Sequence, residues 1–128
     1  PVKRSHIDLA PTLLELMKTP YFPSDMSGQS LAPDLLATKD FTERDVYVDM
    51  PAGQYNSMRR ALLTGPGAGM KLLHFGGNQY QLFDLTTDPD ELKDLAKDTE
   101  KITPVIDAMQ RVRSRLKEID VKPAPAPE

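Results

Sequence analysis

Tyr80-Gln-Leu-Phe-Asp-Leu-Thr-Thr-Asp-Pro-Asp-Glu-Leu-Lys-Asp-Leu95 is the stretch whose reading decides the fold. Tyr80, Leu82 and Asp84 alternate with Gln81, Phe83 and Leu85, the period of two of a pleated strand with apolar side chains on both faces near its end. The strand is expected to stop at Thr86. Asp88 is then spaced as an N-cap, Pro89 as the first helical residue with φ already set, and Glu91 as the acid that returns a hydrogen bond to the cap. A helix is therefore predicted from Pro89, with Leu92 and Leu95 facing inward.

Upstream of this corner, Gly76-Gly77-Asn78 offers the positive φ angles of a tight hairpin, so a strand over 70–75 should pair antiparallel with one over 79–85. Ser57 to Thr64 reads as a further strand, separated from the strand at Met70 by Gly65-Pro66-Gly67-Ala68-Gly69, a sequence that serves only as a turn. Asp45 to Met50 alternates Val46, Val48 and Met50 against Tyr47 and Asp49, and Pro51 with Gly53 closes it. Hairpin joins throughout make a meander. Downstream, Ile102, Val105, Ile106, Met109, Val112, Leu116 and Ile119 recur at three and four, the strongest helical period in the chain. Thr99 is one candidate cap for that helix; Thr103 followed by Pro104 is the cleaner pair. The expected class is α+β: a small four-stranded antiparallel sheet packed against a C-terminal helix, with an additional N-terminal helix.

That N-terminal helix lies in Ser5 to Met17, where Ser5 and Asp8 are spaced as a capping box and Ile7, Ala10, Leu14 and Met17 share a face. Pro11 kinks it or delays its start to about Ala10. Leu9, Leu13 and Leu16 extend the apolar surface, so this helix needs cover on more than one side. A Pro- and Gly-punctuated loop runs from Thr19 to Ser30, and a short helix should follow with Leu31, Leu35 and Leu36 buried. The division expected is residues 1–40 as a helical segment at the edge of a larger domain, 41–120 as a subdomain, and 121–128, Val-Lys-Pro-Ala-Pro-Ala-Pro-Glu ending, as a disordered tail.

A chain of 128 residues suits one folding unit, and a net charge of −3 with mixed signs argues against an electrostatic grip on nucleic acid. Arg111, Arg113, Arg115 and Lys117 fall mostly away from the apolar stripe and read as a solvated face. No apolar run approaches the ~20 residues that span a bilayer, so no membrane partner is expected. Without cysteine there is no disulfide, thiolate metal site or cysteine nucleophile. The chain starts without methionine and enters a helix at once, as a piece of a longer protein would.

Chemistry is sparse. His6 and His74 have no HxH or HxxxH partner and read as structural. Asp84, Asp88, Asp90 and Glu91 crowd a turn without EF-hand order, so capping explains them better than calcium. The 65–69 loop lacks the Lys-Ser or Lys-Thr and the helix of a phosphate cradle, and none of the six serines sits in Gly-x-Ser-x-Gly. No catalytic and no metal-binding residue is assigned.

Ser5-His-Ile-Asp-Leu-Ala-Pro-Thr-Leu-Leu-Glu-Leu, Gly28-Gln-Ser-Leu31, Arg60-Ala-Leu-Leu-Thr, Lys71-Leu-Leu and the Tyr80 stretch, taken together and in this order, closely resemble the C-terminal third of sulfatases in the alkaline-phosphatase superfamily. The resemblance covers about Ser5 to Ala96. It implies a parent hydrolase of sulfate esters that uses calcium and a formylglycine made from Cys or Ser in Cys/Ser-x-Pro-x-Arg, upstream of this segment; neither that motif nor an Asp-Asn pair occurs here. The fragment itself is then inactive and helps shape the substrate mouth, with a missing N-terminal catalytic domain and a sulfate ester as partners. Substrate contact is expected from Gln54, Tyr55, Asn56, Arg59 and His74, while Arg60 and Lys71 serve equally well as ion-pair partners. The resemblance also implies a periplasmic or secreted parent. Alternatives are a phosphodiesterase or phosphonate hydrolase of the same superfamily, or a stand-alone interaction module whose apolar Ser5 to Met17 helix docks onto another protein or onto a second copy of itself, as a homodimer through the exposed N-terminal helix.

Overall fold

The computed structural model describes residues 3–37 and 43–116. Four strands, β1 (Val46–Met50), β2 (Arg59–Thr64), β3 (Met70–His74) and β4 (Tyr80–Asp84), form one sheet in the order β1-β2-β3-β4. Every pair is antiparallel, with Tyr47 opposite Leu62, Leu62 opposite Leu72 and Leu72 opposite Leu82. This is the expected meander. That register places Leu62, Leu72 and Leu82 in one row, and all three are fully buried. Across the row lies helix α3 (Thr99–Arg115), which contributes Ile102, Val105 and Met109 at spacings of three and four. Each buried leucine is worth about 1.5–3 kcal/mol relative to exposure, so this row dominates the core. The class is α+β, as the sequence predicts.

The expected helix at Pro89 does not form. Asp88 does accept backbone hydrogen bonds, but from the N–H groups of Leu92 (3.0 Å) and Lys93 (2.8 Å), four and five residues on rather than two or three. Glu91 then adopts φ +57, a left-handed conformation that ends any helical turn. Its carboxylate does not return to the cap; it pairs with Lys71 Nζ at 2.7 Å, reaching back to β3. Leu92 accordingly points to solvent, 85% exposed. Asp94 Oδ1 accepts from the N–H of Leu82 (3.0 Å) and of Ala96 (2.8 Å), while Leu95 N–H donates to the Leu82 carbonyl at 2.7 Å. The segment thus closes the outer edge of β4, which a helix from Pro89 would have left open. Helix α3 starts later, with Asp98 as N-cap accepting from Lys101 N–H at 3.2 Å. The Thr103-Pro104 pair lies inside it, and Thr103 Oγ1 donates to the Thr99 carbonyl. Leu116 is half exposed, and Lys117, Ile119 and the tail fall outside the described residues, as does the 40/41 boundary.

The N-terminal helix comes as a 3-10 turn over His6–Asp8 running into α1 (Leu9–Leu16). Ser5 N–H donates to Asp8 Oδ2 at 3.0 Å, as the capping spacing requires. The inward side, however, is the polar one. Asp8, Pro11 and Thr12 are buried, whereas Ile7, Leu9, Leu13, Leu16 and Met17 are 43–72% exposed. Asp8 is the reason: it also accepts from Gln29 N–H (2.9 Å) and from Arg44, and Thr12 Oγ1 bonds both the Asp8 carbonyl and Leu31 N–H. A buried carboxylate with several donors fixes the helix's rotation more firmly than its apolar stripe does. In α2 (Ala32–Leu35) the same inversion holds: Ala32 is buried, and Leu35 and Leu36, expected inside, are 66% and 63% exposed. Lys3 ties this unit to the sheet by donating Nζ to the carbonyls of Gly65 and Gly67 in the β2–β3 turn.

Candidate functional site

Strand alternation gives the sheet two unlike faces. The helix-covered face carries Tyr47, Asp49, Arg60, Leu62, Leu72, His74 and Tyr80; the other carries Val48, Met50, Arg59, Ala61, Leu73 and Phe75. The second face is a shallow apolar groove, with Val48 52% and Met50 39% exposed. The β1–β2 loop and the β3–β4 turn meet at one end of the sheet, because Met50 pairs with Arg59 and Arg60 with His74.

At that end the structure gathers four of the five residues expected to touch substrate. Gln54, Tyr55 and Asn56 lie on the β1–β2 loop, exposed, with Tyr55 at 92%. Asn56 braces the loop by donating Nδ2 to the Pro51 carbonyl at 2.8 Å, and its own carbonyl accepts from Gly53 N–H. Arg59 projects over the Phe75 ring, 5.9 Å from its centroid, on the apolar face. His74 lies at the same end but on the opposite face from Arg59. It is buried on the helix-covered face, stacked on Tyr80 at a centroid distance of 4.5 Å and bonded through Nε2 to the Gly77 carbonyl. There it holds the β3–β4 turn in shape. Arg60 and Lys71 are both ion-paired, to Asp49 (3.1 Å) and Glu91.

A second concavity, of about 590 Å³, opens on the helix-covered face between β1 and the last turn of α3. Tyr47, Asp49 and Arg60 line it from the sheet, and Gln110, Arg113, Ser114 and Leu116 from the C-terminal end of α3. Burial pushes the Tyr47 phenol above its ordinary range and the Asp49 charge adds to this, while Arg60 and Arg113 work against it. Tyr47 is therefore a neutral donor, 3.3 Å from Asp49 Oδ2. The sequence reading missed this cleft, since only the register sets Arg60 opposite Asp49 and only the path of α3 brings Arg113 to them. The alternation that puts Tyr47 and Asp49 on one face of β1 was the one available signal. Among the described residues, no group of three or more His, Asp or Glu is placed to hold a metal ion.

Residues 4–122 match the family described as N-sulphoglucosamine sulphohydrolase, C-terminal. The chain belongs to that family of sulfatase C-terminal domains. No curated protein matches the sequence. Among solved structures, a Bacteroides thetaiotaomicron protein assigned as a sulfatase is 28% identical with a TM-score of 0.67, over 84% of this chain and 23% of that one. BT1596, a 2-O GAG sulfatase, is 28% identical with a TM-score of 0.66 over the same shares. BT4656, solved with its substrate D-glucosamine-2-N,6-O-disulfate, is 25% identical with a TM-score of 0.62, over 84% of this chain and 22% of that one. The chain thus spans under a quarter of the length of these three structures. Within this sulfatase C-terminal domain the signature segments are structural: Asp8 anchors Gln29 of the Gly28-Gln-Ser-Leu loop, and Asp94 seals β4. Calcium and formylglycine, general to sulfatases, find no fitting residues here: the sequence holds no Cys/Ser-x-Pro-x-Arg motif, and among the described residues no cluster suits a metal.

Proposed function

We propose that the protein carrying this chain hydrolyses sulfate esters of saccharides, and that the chain is its C-terminal subdomain, with the nucleophile and metal ligands supplied from elsewhere in the polypeptide. The observation that carries this is the family match over residues 4–122, joined to solved sulfatases that align with 84% of the chain over less than a quarter of their own length. The layout supports a division of labour, with residues 1–40 at the edge of the catalytic unit and 41–120 as the subdomain. The exposed apolar flank of α1 and the apolar sheet face are surfaces a folded neighbour would cover, and a catalytic domain of the same protein is the natural one. A homodimer through α1 is the competing cover, and sedimentation of the intact protein separates the two.

On this reading Gln54, Tyr55, Asn56 and Arg59 sit at the substrate mouth, where Arg59 offers a guanidinium to an anionic sugar. His74 acts at one remove, by fixing the turn beside them. The test is sulfate release by the intact protein from a sulfated saccharide. Arg59→Ala should raise KM about tenfold with kcat little changed, the pattern of lost uniform binding. Unchanged KM in a folded Arg59→Ala protein removes the residue from the mouth.

A further inference from the structure

We propose that the cleft between β1 and the C-terminal turn of α3 is an oxyanion site that takes a sulfate or carboxylate group of a saccharide between the guanidinium groups of Arg60 and Arg113. Arg60 spends only Nε on Asp49, at 3.1 Å, which leaves its two terminal nitrogens without a partner among the described residues. Arg113, on the opposite wall, makes no ion pair among the described residues. Two guanidinium charges against the single carboxylate of Asp49 leave one positive charge, the complement of one anionic group. Gln110 adds a neutral amide of the kind that meets sugar hydroxyls, Ser114, whose O–H donates to the Arg111 carbonyl at 2.9 Å, adds an acceptor, and Tyr47 gives an aromatic wall. The volume, about 590 Å³, lies in the range of small-molecule sites of roughly 300–1,000 Å³. Compensation of the α3 C-terminus explains Arg113 and Arg115 as helix-end cations, and the cross-strand pair with Asp49 explains the direction of Arg60, but neither requires the two arginines to line one cleft.

The anion chemistry stands on this cleft alone; only the choice of a sugar rests on the proposed function. The experiment follows the Gln110 side-chain amide by NMR in the intact protein, titrated separately with a sulfated hexosamine, its unsulfated counterpart and inorganic sulfate. The sulfated sugar should shift the amide saturably and more tightly than inorganic sulfate, and the unsulfated sugar should leave it in place. Arg113→Ala should weaken the sulfated sugar about tenfold and Arg113→Lys less, since a lysine keeps the charge and loses the fork. Arg111→Ala, outside the cleft, should change nothing. Equal response to sulfated and unsulfated sugars, inorganic sulfate binding as tightly as the sulfated sugar, no response at all, or an Arg113→Ala protein with unaltered affinity and far-UV circular dichroism would each overturn the site. A protein that binds here yet releases no sulfate from esters contradicts the proposed function and leaves the site standing.

Discussion

Asp8 carries more of the N-terminal architecture than any hydrophobic residue near it. It is fully buried and serves Ser5, Gln29 and Arg44 at once, so Asp8→Ala strands the Arg44 guanidinium and two N–H groups. A cost of about 3 kcal/mol is expected, measured as a fall in urea midpoint with an unchanged slope. Burial alone would raise the Asp8 pKa, but the Gln29 and Ser5 N–H groups and Arg44 outweigh it and hold the carboxyl below 3.8. A depressed folded value means the stabilisation is complete above 3.8 and is lost as pH falls through that lower value. Asp84, lowered mainly by Thr86 N–H, acts with the same sign. Acid titration of the urea midpoint should therefore show a smaller drop in Asp8→Asn than in the parent sequence; equal drops would remove Asp8 from the acid response. Gly28 is a second such point. A Cβ there would press into the Ile7 carbonyl, so Gly28→Ala should lose about 2 kcal/mol or more and pull Gln29 off Asp8.

The strands were legible as elements because alternation and glycine turns act locally, and the row Leu62, Leu72 and Leu82 follows from register once the hairpins are placed. The Asp88 segment was not, for a physical reason. Its residues carry helix-start chemistry, but the unpaired edge of β4 competes for the same backbone, and Asp94 and Leu95 satisfy Leu82 in a run of turns rather than in a helix. A sequence pattern cannot weigh a long-range edge against a local cap. Asp94→Ala should accordingly cost about 1–2 kcal/mol and speed hydrogen exchange at Leu82, whereas loss of a mere surface carboxylate would leave that amide protected. Pro104 tests α3 likewise. Inside the helix it withholds a donor, so Pro104→Ala should stabilise by about 1 kcal/mol or more in thermal unfolding. The rotation of α1 was hidden similarly: its apolar stripe is plain in the sequence, but the partners of Asp8, at Gln29 and Arg44, are distant in it.

At the scale of the molecule, the described residues form one well-made core, under α3, and leave two apolar surfaces open. Such an arrangement suits a subdomain shaped to lean on a neighbour. The place of residues 54–56 on a loop at a sheet end was legible, because Pro51 and Gly53 close the strand that precedes them. That Arg59 and His74 fall on opposite faces was not, since it depends on a pairing between β2 and β3 that only the assembled register shows. If α1 docks on the catalytic part, Leu13→Glu in the intact protein should lower its thermal stability and its rate of ester hydrolysis together, while exchange at the core amides of Leu62 and Leu72 stays slow. The most direct measurement is of the intact protein's substrate preference, with a sulfated saccharide and a phosphodiester compared under the same conditions. Release of sulfate from the saccharide, with KM raised in Arg59→Ala, is the predicted result; cleavage of the phosphodiester with no sulfate released would contradict it.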